Sequence, residues 1–240
     1  MNILAIDTST EVLSLALSVS GSLWQAEISA GTRHSELLLE WTDKLVKSAM
    51  IEPADLNLVL CMQGPGSFTG LRIGYAAAKG FSEALGIPVK AIPTLDCIAA
   101  SQSVWPGFVL PVIDAKKNSF FAAVFREGRK LSEYMDAEAQ TIAVTLRNLG
   151  YNPDIPLLVT GPGAELFYSR ITAENLRQDF SIKDSIRIDP MAARGRAPEM
   201  LRIYKILQSL NEYDSLSGME GLYSGPLYLR KSDAELSLDK

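Results

Sequence analysis

Histidine is almost missing from this chain: one residue, His34, in 240. A catalytic zinc takes three protein ligands, commonly histidines, so one histidine with two distant cysteines, Cys61 and Cys97, excludes zinc hydrolysis. Nucleophile–base chemistry loses its commonest base for the same reason. His34 stands beside Ser35 and Glu36, a run that imitates a triad fragment. Neighbours at a helix start point in different directions, so Ser35 reads as an N-cap and His34 as a capping or surface residue. Both cysteines lie in apolar contexts and read as buried reduced thiols. An excess of positive charge is lacking too. With 23 Lys and Arg against 28 Asp and Glu, net charge −5, the chain has no general attraction for nucleic acid, and any RNA contact has to be local or supplied by a partner. No apolar run approaches the roughly 18 to 20 residues of a membrane span. Met1 enters an apolar run directly, without the basic start and cleavage site of a secretory signal. A cytoplasmic location with no membrane contact is expected.

What the chain does have is core-forming material, 47% apolar residues, enough for one large or two small domains. An internal echo points to two. Ile3-Leu4-Ala5-Ile6-Asp7, followed by Leu13 to Leu17, is mirrored by Leu110-Pro111-Val112-Ile113-Asp114, followed by Phe120 to Phe125. Each copy ends at a glycine, Gly21 and Gly128, with the same offset of 107 residues. Each reads as a strand, a polar turn entered through an aspartate, and a second strand. The first lobe is placed at 1–104: a meander, a helix from Ser35 to about Met50, a strand over Leu56 to Met62, a helix from about Thr69 to Leu85, a short strand over Pro88 to Ile92 and a helix near Leu95 to Ser103. The second, at 105–240, takes a meander over Phe108 to Tyr134, a helix near Val144, a strand over Leu157 to Thr160, a closing helix from Ala197 to Leu210 and a partly packed tail, with the lobes free to share elements. Strands alternating with helices after a meander imply mixed sheets flanked by helices, an α/β fold.

Gly64-Pro65-Gly66-Ser67-Phe68-Thr69-Gly70-Leu71-Arg72-Ile73-Gly74 follows an apolar strand and opens a long small-residue helix. A strand, a glycine loop and a helix N-terminus in succession can bind an anion, or can form a tight turn that lets helix and sheet pack closely. It is neither a P-loop, which ends in Gly-Lys-Ser/Thr, nor a dinucleotide fingerprint, since Thr69 stands where the third glycine belongs. Asp7 and Asp114 can hold magnesium, with Thr8-Ser9-Thr10 offering groups to phosphate, or can each form an Asx-turn. Lys116 and Lys117 face phosphate or solvent.

The two first-lobe helices carry more apolar surface than one core face needs. Drawn at 100° per residue, Leu37, Leu38, Leu39, Trp41, Leu45, Val46, Ala49 and Met50 spread over roughly 220°. The second helix combines Leu71, Ile73, Tyr75, Phe81 and Leu85 with Gly74, Ala77, Ala78 and Gly80. The pair forms either a subunit contact or the inside of a three-layer lobe.

Ile6-Asp7-Thr8-Ser9-Thr10, Arg33-His34-Ser35-Glu36, the glycine segment, Ile113-Asp114-Ala115 and Pro226-Leu227-Tyr228-Leu229-Arg230 together resemble the bacterial TsaB family, also called YeaZ. The resemblance covers nearly the whole chain in order. It implies the duplicated two-lobe actin, Hsp70 and sugar-kinase fold, in which the first strand-turn grips phosphate and a glycine turn of the second lobe, here similar to Gly161-Pro162-Gly163, holds adenosine. Asp7, Thr8, Ser9, Asp114, Gly161 and Gly163 are thus the candidate nucleotide residues. It further implies a degenerate, non-catalytic subunit in the making of threonylcarbamoyladenosine beside the tRNA anticodon. In that role it pairs with the catalytic sibling TsaD, with TsaE as ATPase, self-associates when alone, and meets tRNA only through the complex. No intrinsic cofactor is implied, ATP or ADP and magnesium entering only within the complex. The implied partner surface falls on the two helices, at Arg33, His34, Leu38, Trp41, Leu45, Gly70, Arg72, Gly74, Ala77, Ala78 and Phe81. One departure is that Lys116-Lys117 is followed by Asn118-Ser119 where the family usually has a glycine, so that turn is expected to differ in shape. Against the scaffold stand an ATP-using phosphotransferase of the same fold, with Asp7 or Asp114 as base, and a peptidase, which lacks a metal set. Under the scaffold reading Leu38→Glu or Ala77→Trp abolishes association and leaves the fold intact.

Overall fold

Strands that are apolar on both faces need cover on both sides, and the computed structural model, which describes residues 1–173, 185–210 and 225–229, puts two such strands at the centre of a sheet. The first stretch of chain forms β1 (Ile3–Asp7), β2 (Val12–Val19), β3 (Ser22–Ser29), α1 (His34–Ser48), β4 (Leu58–Gly64), α2 (Phe68–Leu85), β5 (Val89–Pro93) and α3 (Thr94–Ala100). The strands lie in the order β3-β2-β1-β4-β5. β1 runs antiparallel to β2, from Ile3 opposite Ser18 to Asp7 opposite Ser14, and parallel to β4, with Ile3 opposite Leu58. α2 is bounded by its chemistry: Ser67 Oγ accepts from Gly70 N–H at 3.2 Å as N-cap, and Gly86 ends the helix in the left-handed conformation.

The next stretch forms β6 (Phe108–Asp114), β7 (Phe120–Ala122), β8 (Phe125–Arg126), β9 (Arg129–Lys130), β10 (Met135–Ala137), α4 (Ala139–Asn148), β11 (Leu157–Thr160), α5 (Ala164–Ala173) and β12 (Ile186–Ile188). Its sheet runs β10-β7-β6-β11-β12, with β8 on β6 and β9 on β8. From edge to edge both sheets go antiparallel, antiparallel, parallel, parallel. The echo is therefore a duplication, two α/β units with sheets of the same strand order and sense. β7 and β8 keep one register along β6, Val112 opposite Ala122 and Phe108 opposite Arg126, so together they stand for β2. Even the hairpin turns match, Ser20-Gly21 and Glu127-Gly128 all having positive φ, the two-residue turn whose twist suits paired strands.

Among the described residues the last regular element is α6 (Ala197–Ser209), and here the expected division of 1–104 and 105–240 is corrected. Among the described residues, 1–97, 195–210 and 225–228 form one unit, and 98–173, 185–194 and Leu229 the other. The reason is the alternation of β1. Leu4 and Ile6 point to the side covered by α1 and α2, whereas Ile3 and Ala5 point to the other side, which Met200, Leu201 and Tyr204 of α6 cover. In this apolar cluster, only Leu71 of α2 and Cys97 of α3 reach that face from helices other than α6. The second unit has its own core, with Phe108, Val112 and Phe120 of the sheet against Ile142 of α4 and Phe167 of α5, the Phe120 and Phe167 rings edge to face at 5.4 Å. α5 and β12 have no counterpart in the sequence reading, and of the tail only 225–229 lies among the described residues.

The surplus apolar arc resolves into inside and outside. α1 starts at His34, a residue earlier than its sequence suggests, with Arg33 at the N-cap and no side-chain cap, so Ser35 is exposed and is not the cap. This register carries His34, Leu38, Thr42 and Leu45 down one face onto the sheet. Leu38, Leu45 and Ala78 are core residues, Gly70 and Gly74 are buried, and His34 is buried rather than a surface residue, its Nε2 without a hydrogen-bond partner among the described residues. Trp41, Ala77 and Phe81, with Leu37 and Ile73, are half-buried and border the same core. Arg33 is exposed and donates from Nε to Glu36 Oε2 at 2.9 Å. Both cysteines are free and buried, and burial pushes the Cys61 thiol up to about 12.

Leu38 is 2% exposed and its neighbour Leu39 61%. Urea denaturation should therefore give a loss of about 2–5 kcal/mol for Leu38→Ala and a change within about 0.5 kcal/mol for Leu39→Ala. Leu38→Glu should unfold the unit, so its loss of association carries no information about a partner face.

Candidate functional site

β1 ends in Asp7, and the turn it enters is closed by its own chemistry. Asp7 Oδ1 accepts from Ser9 N–H at 2.9 Å and from the Ser9 hydroxyl at 2.6 Å, an Asx-turn. Asp7 Oδ2 accepts from Arg196 N–H at 2.9 Å, at the N-terminus of α6, where the helix dipole favours a carboxylate. Ala197 N–H adds a bond to Ser14 Oγ at 3.3 Å on β2.

The glycine segment closes the turn from the side of α2. Ser67 N–H donates to Ser9 O at 2.8 Å, and Thr8 Oγ1 donates to Gly70 O at 2.7 Å. A Cβ on Gly66 would sit 2.6 Å from Ser9 O, one on Gly74 2.5 Å from Thr8 Oγ1, and one on Gly70 would collide with Thr8 O. The glycines exist so that a helix can press on a turn. Of the two readings of this segment, the geometry realises close packing.

Asp7, Thr8 and Ser9 are consequently buried, and every polar group just named has an internal partner. A phosphate or a magnesium ion, expected here from the sequence and the resemblance, does not fit this turn: both carboxylate oxygens and the Ser67 amide are already engaged. Burial pushes the Asp7 carboxyl above its usual range, and the bonds from Ser9 and Arg196 pull it back only in part.

The second copy repeats the geometry with different partners. Asp114 Oδ1 accepts from Lys116 N–H at 2.8 Å, the same Asx-turn, but Asp114 Oδ2 accepts from Lys116 Nζ at 2.8 Å where Asp7 has a helix terminus. Partial burial raises the Asp114 carboxyl, the Lys116 bonds outweigh it, and the group lies below its ordinary value. Lys116, Lys117 and Asn118 all have positive φ. Asn118 thus adopts the conformation glycine favours, being one of the residues that tolerate it best, so the substitution does not by itself demand another turn shape. Gly161 and Gly163 press on the end of β6, a Cβ on Gly161 coming within 2.5 Å of Val112 O and one on Gly163 within 2.9 Å of Asp114 N, and Gly163 N–H donates to Val112 O at 3.0 Å. They repeat Gly66 in role. Among the described residues no three His, Cys, Asp or Glu side chains stand close enough to hold a metal ion, and no helix is long and apolar enough to cross a membrane.

Arg196 escapes sequence reasoning, and Tyr228, though part of the Pro226 to Arg230 run, is given no role by it. Gly195 and Pro198 around Arg196 announce a helix start, but nothing local says that the start faces a turn 189 residues earlier. Arg72, on the exposed side of α2, lies over the Phe68 ring at 3.8 Å and donates from Nε to Tyr228 Oη at 3.2 Å.

The chain matches over residues 28–182 the family profile described as TsaD: tRNA N6-adenosine threonylcarbamoyltransferase. It is 28% identical over 167 residues to the tRNA threonylcarbamoyladenosine biosynthesis protein TsaB of Bacillus subtilis, covering 69% of this chain and 73% of that protein. It is 32% identical over 130 residues to TsaB of Escherichia coli, 52% of this chain and 55% of that protein, so the match to the latter spans little more than half its length. Among solved structures, YeaZ from Pseudomonas aeruginosa aligns over 95% of this chain and 99% of that chain with a TM-score of 0.76 at 21% identity, a likeness of fold.

Gly70→Ala should cost about 3 kcal/mol or more in urea denaturation, because the methyl group must displace the Thr8 backbone. The raised Asp7 carboxyl fixes the sign of a pH effect. Its contribution to stability is full below the ordinary carboxylate range and falls as pH rises through its folded value. Asp7→Asn loses at least one acceptor and should be less stable by about 1–3 kcal/mol. Relative to the parent it should gain with rising pH, read from thermal midpoints between pH 4 and 8.

Proposed function

The chain belongs to the TsaB (YeaZ) family, and from that membership we propose that it acts in tRNA threonylcarbamoyladenosine biosynthesis as a non-catalytic subunit that binds and activates TsaD. The observation that carries the reading is the sealed Asp7–Ser9 turn. A phosphotransferase uses such a turn to meet a nucleotide; here Asp7 Oδ1 and the Ser9 N–H and hydroxyl are spent on each other, Asp7 Oδ2 on α6, and Ser9 O and Thr8 Oγ1 on the α2 side. What α1 and α2 present outward is a rim of half-buried apolar residues, Leu37, Trp41, Ile73, Ala77 and Phe81, with Arg72 exposed on α2 and Arg33, paired with Glu36, exposed at the start of α1. Aromatic and small residues flanked by arginine suit a protein partner. In this reading TsaD binds on that rim, the chain pairs with itself there when TsaD is absent, TsaE joins the assembled pair, and ATP or ADP with magnesium is bound only by the complex. tRNA is met through the complex, which agrees with the net charge of −5. His34, Leu38, Leu45, Gly70, Gly74 and Ala78 hold the two helices in place from within and do not touch the partner.

The test is light scattering of the chain alone and mixed with TsaD, followed by tRNA threonylcarbamoylation with and without it. A heterodimer replacing a homodimer, with modification only in the mixture, is expected, and Ala77→Trp should prevent both while keeping the parent's melting temperature. Failure to associate, with ATP hydrolysis or phosphate transfer by the isolated chain, would instead favour the phosphotransferase.

A further inference from the structure

Residues 225–228 lie against the junction of β4 and α2 within the first unit. Leu227 N–H donates to Gln63 O at 2.7 Å, and Leu227 O comes within 2.7 Å of where a Cβ on Gly64 would be. This anchor places Tyr228 over the first turn of α2, its ring centroid 4.9 Å from that of Phe68 and tilted by 35°. Arg72, one helical turn after Phe68, completes the cluster, with its guanidinium 3.8 Å from the Phe68 ring centroid and 6.0 Å from that of Tyr228. The Nε bond to Tyr228 Oη, at 3.2 Å, fixes the remaining torsion. A long, exposed side chain is thereby held in one orientation, with Nε used and one face covered. Its two terminal amino groups have no acceptor among the described residues. A fixed guanidinium with two parallel N–H donors matches the two oxygens of a carboxylate.

We propose that Arg72 is the receptor for an acidic side chain of the partner protein and that Tyr228, delivered by the C-terminal segment, is its positioning residue. The proposal rests on the partner-face reading above and adds the chemistry of one contact to it. A protein carboxylate is favoured over a nucleic-acid phosphate by what surrounds Arg72. Phosphate backbones are bound by several cations side by side, whereas the next basic residue along α2, Lys79, is two turns away. Arginine set among Phe68, Tyr228 and Ile73, on the helix that also carries Ala77 and Phe81, has the composition of an interface hot spot.

Calorimetric titration of the full chain with TsaD provides the test. Arg72→Ala should weaken binding by about thirtyfold or more, and Arg72→Lys, which keeps the charge without the fork, nearly as much. Tyr228→Ala should weaken it by about fivefold or more, and Tyr228→Phe, which keeps the ring without the hydroxyl, should fall between it and the parent. In the Arg72→Ala background Tyr228→Ala should have no further effect, a non-additivity that a merely structural tail would not produce. Unchanged affinity of Arg72→Ala overturns the receptor, and additive losses overturn the positioning role. If Arg72→Ala leaves TsaD binding intact but weakens tRNA binding by the assembled complex, the occupant is a phosphate and the proposal falls. If the parent chain itself does not bind TsaD, the partner reading fails and takes the proposal with it, an outcome distinguished by the silence of the unmodified protein.

Discussion

A helix N-terminus offers unpaired N–H groups and partial positive charge, and a fold that binds nucleotide leaves such ends open to phosphate. In the first unit two helix starts, those of α2 and α6, converge instead on the three residues Asp7, Thr8 and Ser9, through Ser67 N–H on Ser9 O and Arg196 N–H on Asp7 Oδ2. Much else depends on this arrangement. It requires Gly66, Gly70 and Gly74 on the α2 side, because any Cβ there meets the turn. It draws α6 back to the beginning of the chain, and α6 in turn covers, with Leu71 and Cys97, the second face of a sheet that is apolar on both sides. A buried carboxylate is costly to hold, and it is held because three donors meet it in a place closed to the surface.

The second copy shows what the same backbone does without those helix ends. Asp114 keeps the bond to the amide two residues on, but its other oxygen turns to a lysine of its own turn. The loop is one residue shorter, Asp7 facing Ser14 across six intervening residues and Asp114 facing Phe120 across five. Three successive residues with positive φ close it, a costly conformation for the two lysines and a tolerable one for Asn118. Duplication preserved the strand order and the aspartate while the groups that satisfy the aspartate diverged.

Much of this was legible because it is local. The apolar run and the aspartate before each turn, and the glycine that closes each copy, are short-range signals, and the structure realises each of them. The membership of α6 was not legible, since which sheet face lacks a cover is a property of the assembled unit, and the closing role of Arg196 depends on a partner 189 residues away. The start of α1 was misread for a different reason. Ser35 is a strong capping residue by type, yet the helix gains more by beginning one residue earlier, which turns His34 inward above Leu38 and Thr42.

The same limit explains why α2 could not be divided into inside and outside from composition. Gly70, Gly74 and Ala78 recur every four residues and look like Ala77 and Gly80 in any count of small residues. Their roles are set by rotation about the helix axis, 100° for each residue. The first three face Asp7–Ser9 and the core, where smallness lets backbones approach, whereas Ala77 lies on the half-buried rim with Ile73 and Phe81. Smallness on the rim leaves a shallow surface between Arg72 and Phe81. A helix that must press on a turn with one face and stay exposed on the other has little freedom in sequence. The Ser-Phe-Thr-Gly-Leu-Arg-Ile-Gly run of this chain meets both demands at once: Ser67, Gly70, Leu71 and Gly74 serve the interior, and Phe68, Arg72 and Ile73 serve the surface.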